Sequence, residues 1–467
     1  MSSVSVSQDE SFSVDEPLLP VSGGDLTVPL VDGGHTPYVN LDYAASAPCL
    51  RAVAARVEAL LPYSASVHRG AGYASQVCTA LFESAREDVR RFIGGRAGDS
   101  VVFTRNTTDA VNLLAHCLDH VDTGRPGQGA GGAVVFDVEH HANLLPWQRR
   151  PGFRCVPAAP SMAESLAALA AELRARPAAL VAVTGASNVP GEVPPIAEIA
   201  ELAHRHGARL FVDAAQLAPH RRIDMAADGI DYLAFSGHKL YAPFGAGALV
   251  GRPDWLDAAP GYLAGGGAVR EVTVAGVDWA DGPARHEAGT PNLPGVVALA
   301  AACRELSALP ADRLRRHEER LRGELVEGLT ALEGVRVHRI WTDVQDAVGV
   351  VTFSLPGHDP ALVSACLAAE HGIGVRAGRF CAHPLLARLG VPEGAVRASI
   401  GVGSTAADVR RLVGALADYL RSGPRWTYVR RDGQWVPTPD ERRLPGWVEN
   451  IVGRQRVPVG AGTPCGH

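Results

Sequence analysis

The chain has 467 residues and a formal net charge of −6, and 46% of its residues are hydrophobic while 20% are charged. These proportions are typical of a soluble globular protein, and a pI of about 6.3 argues against the basic surface that nucleic-acid binding needs. No apolar run approaches the ~18 residues that a membrane-spanning helix requires, so we expect no membrane contact.

The cysteines and the N-terminus indicate a reducing compartment. Eight cysteines are scattered along the chain without a CxxC pair or a metal-ligand spacing, which predicts free thiols, no metal site and a cytoplasmic location. The first 20 residues lack the basic and apolar regions of a secretory signal.

The first 300 residues predict an arm followed by a large α/β domain. Residues 1–36 are rich in Ser, Asp, Pro and Gly and predict a flexible N-terminal arm. In residues 37–300, short apolar runs alternate with helical patterns, which favours a largely parallel sheet. The predicted strands are Ser100–Thr104, Ala133–Val138, Ala179–Ser187, Arg209–Gln216 and Asp231–Gly237. The clearest helices between them are Ser161–Arg176, with a capping box of Ser161 and Glu164, and Pro195–Gly207.

A single core rarely grows beyond ~250–300 residues, so a chain of this length should form two domains. The sequence pattern changes near residue 300, which is where we expect the second domain to begin. Residues 301–422 predict a smaller α+β domain, entered through helices over Leu293–Pro310 and Asp312–Gly334. A further helix is predicted over Asp359–Gly372. Residues 423–467 form a Trp-, Arg- and Pro-rich extension, whose Trp426, Trp435 and Trp447 indicate a segment that docks on another surface.

Polar residues follow the predicted strands at the edge where open parallel sheets bind ligands. Each of these residues alone is more often structural than functional. Together they supply a phosphate site at a helix N-terminus, an acid, an imidazole that can stack and a lysine, which is the set that pyridoxal 5'-phosphate requires. No GxGxxG motif opens a strand–helix unit, so a nicotinamide cofactor is disfavoured. The residues are Thr107, Thr108, His140, His141, Asn188, Asp213, Gln216, Ser236, His238 and Lys239.

Five motifs together resemble the class V aminotransferase superfamily, and within it most closely the SufS-type cysteine desulfurases and selenocysteine lyases. They are FTRNTTDAVNL, EHHANLLPWQ, VDAAQLAPH, FSGHKLYAPFGAGAL and HEAGTPN. The resemblance covers about Tyr38 to Leu420. It implies an α/β fold of the pyridoxal-phosphate transferase fold type I (aspartate aminotransferase-like), with a seven-stranded type of sheet, a smaller α+β domain and a homodimer with shared active sites.

The resemblance also implies a role for each site residue. Lys239 would bind the cofactor as a Schiff base, Asp213 would pair with the ring nitrogen, and Gln216 with the ring hydroxyl. His140 would stack on the ring and take part in catalysis. The phosphate would be held by Thr107, Thr108, Ser236 and His238, with Thr290 from the partner subunit. The amino acid substrate would be bound by Asn188, Arg397, Arg376 and His68.

The segment VRAGRFCAHPLL aligns Cys381 with the sulfur-accepting nucleophile of this family. Arg376 and Arg379 would favour its thiolate. The sequence departs from these relatives at Arg379-Phe380, where they often carry His-His, and at His383. The expected reaction is conversion of L-cysteine to L-alanine, with a persulfide formed on Cys381 and passed to a sulfur-acceptor protein.

Two other readings stay open at this point. One is another class V pyridoxal-phosphate enzyme (an aminotransferase, an epimerase or a C–S β-lyase) in which Cys381 is not the nucleophile. The other is a binding module that has lost catalysis, against which the complete set of Lys239, Asp213 and Arg397 argues.

Overall fold

The computed structural model describes residues 13–121 and 132–453. Within them the α-helices are α1 (Arg51–Leu60), α2 (Tyr73–Phe92), α3 (Thr107–Leu118), α4 (Leu145–Gln148), α5 (Met162–Ala175), α6 (Ile196–Arg205), α7 (Pro253–Ala258), α8 (Leu293–Ala308), α9 (Ala311–Thr330), α10 (Pro360–His371), α11 (His383–Arg388), α12 (Ala406–Ser422) and α13 (Gly446–Val452). Short 3₁₀ helices cover Leu61–Tyr63, His141–Asn143 and Gly282–His286.

The strands within the same residues are β1 (Thr27–Pro29), β2 (His35–Pro37), β3 (Val39–Asn40), β4 (Ser100–Thr104), β5 (Ala133–Phe136), β6 (Arg154–Val156), β7 (Leu180–Thr184), β8 (Arg209–Asp213), β9 (Tyr232–Ser236), β10 (Gly247–Gly251), β11 (Val269–Thr273), β12 (Gly276–Trp279), β13 (Arg336–Val337), β14 (Val350–Ser354), β15 (Ile373–Gly374), β16 (Arg376–Gly378), β17 (Ala395–Ser399), β18 (Tyr428–Arg431) and β19 (Gln434–Pro437).

The main sheet has the strand order β4-β10-β9-β8-β7-β5-β6. Strands β5 to β9 pair in parallel, whereas β10 runs antiparallel to both β4 and β9. Every residue of β5, β7, β9 and β10 is buried, because helices cover both faces of the sheet. The expected α/β fold with a mainly parallel sheet is therefore confirmed.

The predicted strands all form, although several end earlier than the apolar runs do. β4 has the predicted bounds, while the runs Arg209–Gln216 and Asp231–Gly237 end as strands at Asp213 and Ser236. The residues beyond those ends leave the sheet as turns and face the site. The sequence did not predict β10, an antiparallel strand that lies between β4 and β9 in the sheet. The Gly-rich segment before it obscured the strand pattern.

The helices follow their predicted signals. α5 begins at the predicted capping box, in which Ser161 and Glu164 each satisfy the other's backbone N–H. α8 is apolar nearly all round because it is buried among the core residues of the large domain. Within the described ranges no single helix has the length and apolar composition to cross a membrane, and α8 and α9 meet that measure only as a pair bent by 88°.

The smaller domain is an antiparallel sheet, with strand order β13-β14-β17-β16, packed against α9, α10 and α12. Its core is separate from that of the large domain and includes Leu325, Val351, Phe353, Leu367 and Leu412. Because β16 and β17 are adjacent, Arg376 and Arg397 lie opposite each other in the register.

The described part of the N-terminal arm, residues 13–36, contacts both domains. Val14 lies in the core of the smaller domain and Val21 in that of the large domain. The hairpin of β1 and β2 precedes β3, which pairs in parallel with β15.

The C-terminal extension docks on α10 through the hairpin of β18 and β19. The Trp435 indole and the Arg430 guanidinium both donate to Asp359 at 2.8 and 2.7 Å. Trp426 is half-buried and its indole donates to the Pro439 carbonyl at 2.7 Å, within the extension itself, whereas Trp447 is 70% exposed on α13.

Replacing Asp359 with alanine should lower the unfolding free energy by about 2 kcal/mol, because the side chain also caps α10 by accepting from the Ala361 N–H. Burial alone would raise the pKa of Asp359, but the hydrogen bonds from Trp435 and Arg430 lower it. Thermal unfolding measures the stability, and limited proteolysis reports release of the hairpin. Asp359→Asn, which keeps an acceptor, should lose less. An alanine variant as stable and as protease-resistant as the unchanged protein would contradict this assignment.

Candidate active site

A cavity of about 230 Å³ lies where the carboxyl ends of the main-sheet strands face the smaller domain. The structure brings most of the predicted site residues to its lining. They are Thr107, Thr108, His140, Asn188, Asp213, Gln216, Ser236, His238, Lys239, Arg376, Cys381 and Arg397.

One end of the cavity is the N-terminus of α3. The Ser236 hydroxyl, at the end of β9, accepts from the Thr107 backbone N–H at 2.8 Å and bonds the Thr107 hydroxyl at 2.7 Å. Asn106 caps the helix by accepting from the Asp109 N–H. A helix N-terminus edged by hydroxyl groups is suited to a phosphate.

The turn after β9 needs a glycine at position 237. A Cβ there would lie 2.8 Å from the Ala246 carbonyl oxygen and 3.0 Å from that of Ala242. The backbone at Gly237 can therefore pass close to the segment that leads into β10. This close approach lets His238 and Lys239 reach the cavity directly after the strand.

Asp213 is the last residue of β8 and Gln216 lies in the turn that follows; both line the cavity and both are buried. Asp213 accepts from the Ala215 N–H at 3.0 Å; burial raises its pKa, and the Ala215 bond and Lys239 oppose that rise. The Gln216 amide nitrogen donates to the Ala44 carbonyl at 2.8 Å. Its buried Oε1 has no hydrogen-bond partner in the described part of the chain, so it is ready to accept from a bound molecule.

Lys239 is half-buried and lines the cavity. Desolvation lowers the pKa of its amine to about 8. The nearby Asp213 carboxylate opposes this shift, whereas the positive charges of Arg397 and Arg376 add to it. The Lys239 amine therefore loses its proton at a lower pH than the amine of an exposed lysine does. Desolvation and Lys239 likewise lower the pKa of His238 to about 4.

His140 follows β5 and holds its imidazole as a neutral ring. Burial lowers its pKa to about 3, and Lys239 contributes to that shift. Its Nδ1 accepts from the Ala142 N–H at 3.0 Å, which places the ring proton on Nε2. The preceding Glu139 is fully buried and braces this turn by accepting from Asn143 and from the Thr184 N–H.

Arg397 lies on β17 and faces the cavity from the smaller domain. Its guanidinium donates to the Asn188 carbonyl at 2.9 Å and to Asp42 at 3.1 Å. Burial lowers its pKa to about 10, so it stays charged at neutral pH, and its buried Nε has no partner in the described chain. The sequence did not identify Asp42, although its place after β3 in LDYAAS was an available signal.

Cys381 lies in the turn between β16 and α11. It is half-buried, lines the same cavity as Lys239, and its carbonyl accepts from the His141 N–H at 2.8 Å. Phe380 and Cys381 have φ angles of 51° and 53°, in the left-handed region that non-glycine residues rarely adopt. Backbone of this kind costs roughly 1–3 kcal/mol per residue and persists only where neighbours fix it.

The other described cysteines do not line this cavity. Cys78, Cys117, Cys303 and Cys366 are buried, which is typical of thiols that pack in a core, whereas Cys49 is half-buried and Cys155 is exposed on β6. Burial raises the pKa of Cys117 and of Cys366 to about 12, so these thiols stay protonated. Cys465 lies outside the described residues.

The structure does not bring His68 or Thr290 to the cavity. The His68 ring lies 3.0 Å from the Glu83 carboxylate, and its backbone N–H donates to Thr79 at the start of α2. Thr290 is exposed. Thr290 was expected to act on the partner subunit's site, and both roles stay predictions.

Comparison with known proteins gives the same family as the site does. A sequence model of aminotransferase class V matches residues 39–412. A cysteine desulfurase of Dickeya dadantii is 39% identical over 387 residues, which cover 81% of this chain and 91% of that protein. Two solved cysteine desulfurases each cover 82% of this chain and 95% of their own: that of Thermococcus onnurineus, with 33% identity and a TM-score of 0.75, and that of Escherichia coli, with 34% and 0.72.

The family match spans both domains and every residue that lines the cavity. The chain therefore belongs to the class V aminotransferase family, in which these relatives are cysteine desulfurases.

Proposed function

We propose that this protein is a pyridoxal-phosphate-dependent cysteine desulfurase, which converts L-cysteine to L-alanine and keeps the sulfur as a persulfide on Cys381. The observation that carries the proposal is one cavity that holds a lysine, a buried acid, a buried arginine and a half-buried cysteine. Relatives named as cysteine desulfurases support it, among them one that is 39% identical over 81% of the chain.

The residues of the cavity fit the cofactor. The α3 N-terminus with Ser236 and His238 suits the phosphate, Asp213 suits a protonated ring nitrogen, and the unpartnered Gln216 Oε1 suits the ring hydroxyl. Asp213 gains from this arrangement, because a cation against it offsets the cost of its burial. When bound, pyridoxal 5'-phosphate withdraws electrons from the substrate's α-carbon.

Arg397 and Arg376 provide the positive charge that a substrate carboxylate needs. The Asp42 carboxylate and the Asn188 carbonyl hold the Arg397 guanidinium in place, and its Nε–H is left free for the substrate. The planar fork of arginine matches a carboxylate closely. This charge selects α-amino acids over simple amines.

Lys239 and Cys381 carry out the proton and sulfur transfers. A lysine amine with a pKa of about 8 can take or give a proton near neutral pH. The Cys381 thiolate attacks the sulfur of L-cysteine, and the new S–S bond forms as the C–S bond breaks. The substrate carbon gains a proton, so that two thiols yield one persulfide and one C–H bond.

The assembly and location are part of the same proposal. A homodimer with shared sites is supported by the exposed Thr290, which lies outside the cavity of its own chain. Cys49, Cys78, Cys117, Cys155, Cys303 and Cys366 form no disulfide within the described residues, which supports a reducing, cytoplasmic setting. A sulfur-acceptor protein would take the persulfide from the half-buried Cys381.

Replacing Cys381 with alanine should reduce both alanine and sulfide formation from L-cysteine more than about 100-fold, because the sulfur loses its nucleophile. Lys239→Ala should lose the activity and the yellow chromophore together. Cys155→Ala removes an exposed thiol outside the cavity and should keep full activity. Formation of alanine by Cys381→Ala, or pyruvate as the main product, would instead indicate another class V reaction.

The uptake of pyridoxal 5'-phosphate by the apoprotein should speed up as pH rises through about 8. The buried Lys239 amine is protonated below that value and free above it, whereas an exposed lysine would require a pH near 10.5. Stopped-flow absorbance at several pH values gives the midpoint. A midpoint near 10.5, with the protein still folded, would contradict the burial of this amine.

A further inference from the structure

The turn that carries Cys381 is short and strained. Residues 379–382 connect β16 to α11, and both Phe380 and Cys381 have left-handed backbone angles. Phe380 is only 2% exposed, and its ring joins the apolar core of the large domain. The thiol can therefore hold one position only if the neighbours of the turn fix it.

Three contacts connect this turn to the arginine of the cavity in a closed circuit. Arg397 donates to the Asn188 carbonyl at 2.9 Å, and the Asn188 side chain donates to the Phe380 carbonyl at 2.8 Å. The Phe380 ring then closes the circuit, with its centroid 5.1 Å from the central carbon of the Arg397 guanidinium.

We propose that Phe380 is a positioning residue, whose ring couples the placement of Arg397 to the placement of Cys381. The inference rests on the proposed desulfurase function. A phenyl ring cannot exchange a proton, so its contribution is its negative face, which attracts the guanidinium, and its shape. Because Phe380 and Arg397 are both buried, this attraction is stronger than it would be on a surface.

Loss of the Phe380 ring should change both KM and kcat, and steady-state kinetics can measure the two separately. An arginine that has lost the ring binds the substrate carboxylate less well, which raises KM. A turn that has lost the ring holds the thiol less well, which lowers kcat. A residue that only fills space would change stability without producing both effects.

The test compares Phe380→Leu with Phe380→Tyr in the holoenzyme, with L-cysteine as substrate. Leucine has a similar volume and a similar cost at a positive φ but lacks the ring, whereas tyrosine keeps the ring. We expect kcat/KM for alanine formation to fall at least about tenfold in the leucine variant, with KM raised and kcat lowered. The tyrosine variant should stay within about twofold of the unchanged protein. Cofactor absorbance should be normal in both.

Phe92→Leu is the matched control, because it removes a buried ring on α2 outside the lining of the cavity. It should lower the thermal midpoint and leave kcat and KM unchanged. If Phe380→Leu does not fold, Phe380→Met takes its place. Equal activities in the tyrosine and leucine variants, or a leucine loss no larger than that of Phe92→Leu, would overturn the inference. Absence of alanine from the unchanged protein would instead overturn the proposed function.

Discussion

The parallel pairing of β8 with β9 puts a lysine and an acid at the same edge of the sheet, and the chemistry of this chain depends on that arrangement. Asp213 ends β8 and Lys239 lies in the turn after β9, and both line one cavity. Each group alters the other: the carboxylate keeps the lysine pKa from falling further, and the amine moderates the rise in the pKa of the acid. Both are costly to bury, and a cofactor bound as proposed would offset part of that cost.

The second requirement is contact between the two sheets. The main sheet supplies the groups that fit the cofactor, while the antiparallel sheet supplies Arg376 and Arg397, the residues proposed to bind the substrate carboxylate. Asp42 and Asn188 lie outside the strands of both sheets, yet they hold Arg397 in place. The site is thus complete only when the smaller domain packs against the large one. This packing also explains why Arg397 is buried and hydrogen-bonded.

Local patterns in the sequence predicted the strands, the α5 capping box and the strand-end residues well, because those features depend on neighbouring residues. They failed where distant segments meet. The pairing of Asp42 with Arg397 spans 355 residues, and the insertion of β10 between β4 and β9 depends on the whole sheet. The positive φ angles of Phe380 and Cys381 were also beyond prediction, since neither residue type favours them. The C-terminal extension was expected to dock, but its hairpin and the contact of that hairpin with α10 became known only from the structure.

The shortness of the turn between β16 and α11 decides how sulfur can leave. Even fully extended, four residues span at most about 14 Å, and here the turn is bonded to the large domain through His141 and Asn188. Cys381 is therefore held in place and cannot move far from the cavity. If Cys381 carries the persulfide as proposed, an acceptor would have to bring its own thiol into the cavity to the half-buried Cys381, which favours an acceptor with a narrow, extended segment.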